Sequence, residues 1–290
     1  MGKTAVALAL ADTLRARGEA PLAVSADALQ VYAGLEILTA APTPAERARL
    51  EHRLVGIVPV TETFSVGEFM PLAHREIDAA LGADRRPIVV GGTGLYVRAA
   101  LTELDLRPPP PPRVRQRVEE ELAARGPGAL HAELARRAPA AAARIEPTDR
   151  MRIVRAHELL AAGEDPLAVD AGGEGSQLWS HDVRRPTLLV GLVAEREELY
   201  RRIEARVDSM VATGAIEEAR RADAAGASRT ARQALGFEEL LAGDVDDLKR
   251  RTRNLAKRQL TWMRKLAGVW TVDVTGREPA EVAEEVAARL

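Results

Sequence analysis

The 290-residue chain contains no cysteine. That excludes disulfides, thiolate metal sites and cysteine nucleophiles, and it fits a reducing compartment. Aromatic residues are scarce at 3%, so alanine and leucine carry the apolar content, a bias toward helix. No run reaches the ~18 consecutive apolar residues that span a membrane. No signal peptide is read at the start, where Met1-Gly2-Lys3-Thr4 passes straight into a helical pattern. The expectation is a cytoplasmic protein with no membrane partner. A strong excess of one charge is also missing. The formal net charge is −2, so any nucleic-acid partner has to be met by a local patch. The five histidines (His52, His74, His131, His157 and His181) show no HxxxH or HExxH spacing and read as structural or surface residues.

What is present suits a globular protein large enough to bury a sizeable core. Residues 4–17 read as a helix closed by Gly18. Four apolar stretches read as buried strands: 21–25, 87–90, 187–193 and 269–274. Helical patterns separate them, which implies parallel βαβ units in an α/β fold with helices on both faces of the sheet. The texture changes after the run of five prolines from Pro108 to Pro112, which reads as stiff and extended. Helical, Arg/Ala-rich sequence follows to about Gly163. The stretch Ala171-Gly172-Gly173-Glu174-Gly175-Ser176 then reads as a flexible loop. Residues 113–184 are therefore expected to form a helical insertion in a core made of 1–112 and 185–290. No internal repeat is present.

Four segments carry chemistry. Gly2-Lys3-Thr4 at a helix start is the end of a phosphate-binding loop, GxxxxGK[ST]. In such a loop, backbone N–H groups and the helix N-terminus hold phosphate, the lysine adds a point charge and the hydroxyl holds Mg²⁺. A bare GKT serves equally as an N-terminal cap. Ser25-Ala26-Asp27-Ala28-Leu29-Gln30-Val31-Tyr32 follows a strand, and ligand sites in open parallel sheets lie at such carboxyl ends. Asp27 there suits a general base or a Mg²⁺ partner, or the cap of a following helix. Gly91-Gly92-Thr93-Gly94-Leu95-Tyr96 also follows a strand. It suits close backbone approach to an oxyanion, or simply a tight strand-to-helix turn. Between positions 249 and 265 stand Lys249, Arg250, Arg251, Arg253, Lys257, Arg258, Arg264 and Lys265 with no acid. Leu248, Leu255, Trp262 and Leu266 share one helical face there, which leaves the other faces positive for phosphate backbones or for solvent. Arg150, Arg152 and Arg155 form a second basic cluster.

In this order, the segments resemble the bacterial tRNA dimethylallyltransferases (tRNA isopentenyltransferases) nearly end to end. The likeness includes Thr39-Ala40-Ala41-Pro42, Phe64-Ser65-Val66-Gly67-Glu68-Phe69 and the helix from Asp149 to Ala156. It continues through the segments at 199–210, 233–239 and 257–264. The resemblance implies a P-loop-type parallel sheet flanked by helices with an inserted helical domain. It also implies transfer of a dimethylallyl group from its diphosphate to N6 of adenosine 37 in tRNA. It assigns Asp27 as the base, Thr93 and Arg206 as catalytic holders of the leaving diphosphate, and Gly2, Lys3, Thr4 and Thr39 as diphosphate binders. Thr4 becomes the ligand of the one expected cofactor, Mg²⁺. Ala28, Leu29, Gln30, Arg115, Met151, Arg152, Arg155, Arg232, Gln233 and Gly236 match positions that touch tRNA, with Gln30 reading the target adenine. A monomer is expected.

The sequence departs from the family at several points. It opens inside the phosphate loop, so the preceding strand and first half-loop are not in it, and a start assigned late or a shortened chain is expected. Ala41 replaces a lysine, Ala28 a serine and Phe237 a tyrosine. Two other readings remain at this stage. One is a P-loop kinase or isopentenyltransferase acting on small molecules, against which the insertion and the basic helix argue. The other is a tRNA-binding protein without catalysis, against which Asp27, Thr93 and Arg206 argue.

Overall fold

A computed structural model describes residues 2–106, 111–168 and 182–290. Pro108 to Pro110, the glycine-rich stretch 171–176 and His181 lie outside the described residues. The chain divides into two compact units, Met1–Glu103 with Val183–Leu290, and Leu104–Asp182. The inserted unit therefore runs from 104 to 182, where the sequence reading set 113 to 184. Arg184 belongs to the core because its amide donates to Leu101 O at 2.8 Å and its guanidinium pairs with Asp78 and Glu103, both at 2.8 Å.

The core unit is α/β. Helix α1 (Lys3–Ala16) buries Val6, Leu8, Leu10, Ala11 and Leu14, and Gly18 ends the turn at φ 84°. Strand β1 (Pro21–Ser25) is buried at every residue, as an interior parallel strand must be. It leads through β2 (Tyr32–Ala33) to α2 (Pro44–Arg49), β3 (His52–Arg53) and β4 (Val58–Pro59). Helix α3 (Val66–Gly82) precedes β5 (Arg86–Val90) and α4 (Gly94–Leu101). The start of α3 is set by a reciprocal cap. Ser65 Oγ accepts from Glu68 N at 3.3 Å, and Glu68 Oε2 accepts from Ser65 N at 2.9 Å. After the insertion come β6 (Val190–Val193), α8 (Arg196–Ala212), α9 (Ala215–Ala224), α10 (Phe237–Leu241), α11 (Val245–Lys265), β7 (Trp270–Asp273) and α12 (Pro279–Ala287).

Every strand pair is parallel: β1 lies between β3 and β5, β2 pairs with β4, and β6 pairs with β7. The stretch expected as a strand over 187–193 is shortened to Val190–Val193, because β7 is its one ladder partner among the described residues. An apolar slot runs between β5 and β6, a cavity of about 360 Å³ lined by Ile88, Val90, Leu188 and Val190 with Val6 and Leu10 of α1. Lys3 stands at one end and Arg86 at the amino end of β5. Helix α1 joins the two ladders, packing Leu10 and Leu14 against α12 and Trp270, and Leu8 and Ala11 against Ala23 and Leu50.

The inserted unit is helical. Helix α5 (Pro112–Arg137) is broken at Gly126, φ 79° and ψ 163°, where Pro127 follows. Helices α6 (Pro139–Ala142) and α7 (Arg150–Ala162) close over Leu122, Leu130, Leu134, Ile145 and Ile153. Asp149 caps α7, accepting from Arg152 N at 3.1 Å, and Gly163 ends it at φ 75°.

Candidate functional site

The register of two neighbouring strands builds the site. Ser25 of β1 pairs with Val90 of β5, and Ala26 N donates to Val90 O at 2.8 Å. Asp27 therefore leaves the sheet beside Gly91-Gly92-Thr93. The backbones come so close that a Cβ on Gly91 would stand 2.3 Å from Ala26 O, so glycine alone fits. The start of α1 reaches the same place: a Cβ on Gly92 would lie 3.2 Å from Lys3 Nζ. Gly2 caps α1 at φ 93° with no side-chain bond and no acid in the first turn. The cap residue thus offers the first-turn N–H groups no side-chain acceptor, the usual condition for anion binding. Thr4, half-buried, is the second residue of that turn.

Charges converge here. Burial lowers the Lys3 ammonium below the ordinary lysine value, Asp27 draws it back up, and Arg206 of α8 pushes it down. Burial likewise lowers Arg206, with Asp27 opposing. Burial, then the neighbouring Tyr32, Asp27 and Glu68, raise the Tyr96 phenol well above its usual value. One carboxylate and two cations therefore act on one another here. Asp27 Oδ1 accepts from Leu29 N at 3.0 Å, so it caps the turn that carries Ala28 and Leu29 rather than a helix. Thr93 caps α4 without a side-chain bond. Tyr96 is oriented from α3, its ring centroid 4.7 Å from that of fully buried Phe69. Sequence reasoning missed Tyr96, whose only signal was its place in the glycine-rich segment.

Gln30 and Thr39 are held within the core unit. Gln30 Oε1 accepts from Ser25 Oγ at 2.9 Å, and Nε2 donates to Ala40 O at 3.1 Å. Both ends of the amide are engaged, so reading a base requires one bond to exchange. Thr39 Oγ1 donates to Leu35 O at 2.7 Å, and contact with an anion demands the same. Buried Glu218 of α9 clamps this loop, accepting from Ile37 N at 2.9 Å and Leu38 N at 2.7 Å. Nothing in the sequence marked Glu218. Gly236 is buried at φ 99°, and a Cβ there would meet Leu38 Cδ1 at 2.8 Å. The 232–237 segment thus abuts the loop of Thr39. Gln233 is exposed, while Arg232 pairs with Asp223 and with Glu238 (2.9 Å) and lies over the Phe237 ring.

Helix α11 crosses the glycine-rich turn. A Cβ on Gly92 would stand 2.6 Å from Gln259 Nε2, one on Gly94 2.1 Å from Trp262 Cε3, and one on Gly191 2.4 Å from Met263 Sδ. Lys3, Gly92, Gly94, Gln259 and Trp262 line a cavity of about 150 Å³. The basic helix is less uniformly positive than its sequence. Lys249 pairs with Asp208 (2.6 Å), Arg250 with Asp247, Arg251 with Glu239 and Arg253 with Glu204 (2.9 Å). Acids of α8, α10 and the first turn of α11 itself supply the counter-charge that the 249–265 window lacks.

The remaining expected contacts lie in the inserted unit. Met151 is an exposed apolar side chain, 58% accessible. Arg152 pairs with Asp149 at 2.5 Å. Arg115 and Arg155 both pair with Glu158. The described histidines bond backbone carbonyls: His52 to Leu50, His74 to Ala99, His131 to Ala142 and Ile145, and His157 to Leu130. Among the described residues no helix is long and apolar enough to cross a membrane.

Residues 30–266 match the family model described as IPP transferase. A tRNA dimethylallyltransferase of Thermobifida fusca is 41% identical over 276 residues, covering 91% of this chain and 84% of the relative. One from Kineococcus radiotolerans is 40% identical, covering 98% and 92%. The solved tRNA isopentenylpyrophosphate transferase of Bacillus halodurans superposes with a TM-score of 0.68 at 33% identity, covering 99% of this chain and 92% of that one.

Proposed function

The chain belongs to the IPP transferase family, and from that membership we propose that it transfers a dimethylallyl group from dimethylallyl diphosphate to N6 of adenosine 37 in tRNA, releasing diphosphate. The observation that carries the mechanism is the Ser25–Val90 register. It sets Asp27 beside the Gly91-Gly92-Thr93 turn, and Lys3 of α1 and Arg206 of α8 approach that carboxylate from outside the sheet.

Adenine N6 is a weak nucleophile, so the barrier falls mainly by easing departure of the diphosphate. In the reaction the N6–C1 bond forms, the C1–O bond breaks, and its electron pair leaves on the diphosphate oxygen. Lys3 and Arg206 meet that growing negative charge. The α1 N-terminus and Thr93 Oγ donate to the same oxygens. Asp27 takes the N6 proton on the carboxylate oxygen that the Leu29 amide does not hold. Mg²⁺ fits the donor set, because it binds a diphosphate with few protein ligands and several waters. Thr4 Oγ1 would be the protein ligand, and the ion would supply positive charge to the phosphate oxygens. Water must be kept from the allylic cation character, and the apolar lining that Trp262, Leu260 and Met263 give the cavity supports that requirement.

Ala28, Leu29 and Gln30, with Arg232, Gln233 and Gly236, serve the tRNA from the core unit. Arg115, Met151, Arg152 and Arg155 serve it from the insertion. The target base must leave its stack to reach Asp27. The reading takes a single copy of the chain, which would meet its tRNA in the cytoplasm.

The test incubates the chain with Mg²⁺, dimethylallyl diphosphate and unmodified tRNA bearing A36-A37-A38, followed by nucleoside mass spectrometry. Formation of N6-dimethylallyladenosine that is lost in Asp27→Asn supports the reading. Binding of tRNA without transfer would overturn the catalytic part.

A further inference from the structure

Glu158 of α7 is wholly buried, with 0% of its side chain exposed. Two guanidiniums face it from two helices: Arg115 Nη1 of α5 is 3.2 Å from Oε1, and Arg155 Nη1 of α7 is 3.3 Å from Oε2. Arg115 also donates through Nε to Glu119 at 3.0 Å. A buried ion pair rarely adds stability over an apolar filling, since desolvation consumes most of the attraction. Stability therefore does not explain an acid at this position. What the acid does is visible in its partners. Its two arginines stay partly exposed, 32% and 25% by side chain, although both are tied at the base. Glu158 Oε1 makes no hydrogen bond despite the nearby Arg115. That contact is an ion pair without a hydrogen bond. The neighbouring turn is itself fixed, because His157 bonds Leu130 O at 2.9 Å.

We propose that Glu158 is a positioning residue for RNA phosphate: its buried carboxylate holds the guanidiniums of Arg115 and Arg155, from two helices, as one seat for the tRNA backbone. The inference rests on the reading of the chain as a tRNA-modifying enzyme. Guanidiniums suit the role because a planar fork meets phosphate oxygens in pairs, provided that its orientation is set beforehand. Long side chains ordered before binding lose less freedom when the RNA arrives.

Two accounts of Glu158 predict opposite signs. Charge alone makes Glu158→Gln bind tRNA more tightly, because a negative group beside phosphate-binding arginines disappears. Positioning makes it bind more weakly. We expect Glu158→Gln to weaken tRNA binding by about five- to tenfold, the scale of immobilising two side chains at an interface. KM for tRNA should rise with kcat unchanged, as for a loss of binding shared by ground and transition states. Arg115→Ala should weaken binding similarly and lower the slope of log affinity against log salt by about one phosphate contact. Adding Glu158→Gln to Arg115→Ala should cost less than it does alone. Glu158→Asp keeps the charge but withdraws it by one methylene, so an intermediate weakening is expected, and this variant decides the matter if Glu158→Gln folds poorly. Unchanged or tighter binding in folded Glu158→Gln or Glu158→Asp overturns the proposal. If Arg115→Ala and Arg155→Ala also leave binding unchanged, the assignment of tRNA contacts to this unit fails as well. If they weaken it, only the role of Glu158 is lost.

Discussion

Gly94→Ala sets two rules against each other. Gly94 is the first residue of α4, and alanine is the better helix former by about 1 kcal/mol. Propensity thus calls the change stabilising. The packing says otherwise: the new Cβ would stand 2.1 Å from Trp262 Cε3, 2.7 Å from Cδ2 and 2.8 Å from Cζ3, against an ordinary contact of 3.4 Å or more. To regain ordinary contact the ring must retreat by 3.4 − 2.1 = 1.3 Å. It cannot do so alone, since Gln259 and Met263 of the same helix press on Gly92 and Gly191. Overpacking of this kind costs about 1–3 kcal/mol. At roughly 2–4 °C per kcal/mol for a domain of this size, Tm should fall by about 2–12 °C. Because Thr93 precedes Gly94 directly, prenyl transfer should fall too. The assay is a thermal melt of Gly94→Ala, Trp262→Ala and the double variant. Removing the ring should erase most of the Gly94→Ala penalty, a coupling of about 1 kcal/mol or more. A single variant as stable as the wild type, or a penalty that survives loss of the indole, refutes the reasoning.

Asp27→Asn should lower transfer by about 10²–10⁴-fold, the usual contribution of a general base, while tRNA binding measured by anisotropy stays within a few-fold. Ser65→Ala removes half of the reciprocal cap on α3 and should cost about 1 kcal/mol, read as a lower urea midpoint. Arg184 and Arg185 hold the Asp78 carboxyl below its ordinary 3.8. A depressed acid contributes stability that is present above the unfolded value and lost as pH falls through the folded one. Wild type should therefore lose stability below about pH 4 more steeply than Asp78→Asn, by roughly 0.5–1 kcal/mol for a partly exposed pair. Equal acid limbs in urea titrations of the two proteins would remove that assignment.

Local signals in the sequence went far toward the fold. The helix after Gly2-Lys3-Thr4 and the strands at 21–25 and 87–90 were legible because apolar runs ended at glycine or at a polar turn. The strand at 187–193 was read too long, since its ladder depends on a distant partner, β7. The positions of Asp27 and Thr93 at the carboxyl ends of strands were legible too. Their adjacency was not, because it comes from the Ser25–Val90 register, a long-range fact. Glu218 and Glu158 escaped notice, and Trp262 was read only as part of a packing face, for the same reason. Each acts on residues far away in the chain, and an acid or an indole on a helix looks like any other until the partner is known. The basic helix misled in the opposite direction, as its counter-charges sit mostly on α8 and α10.

The slot between β5 and β6 bears on how the core unit opens. β5 and β6 are each an outer strand of their ladder, and apolar side chains of both line the cavity. Ladder hydrogen bonding stops at that line among the described residues, and α1 packs against both the β3–β1–β5 ladder and the β6–β7 pair. A seam of this kind lets the two halves exchange their amide protons independently, each with its own opening free energy. It is also a template, since any extended apolar segment running in the strand direction would bond on both sides at once. Occupied in that way, the seam would turn two short ladders into one six-stranded sheet that opens as a single unit.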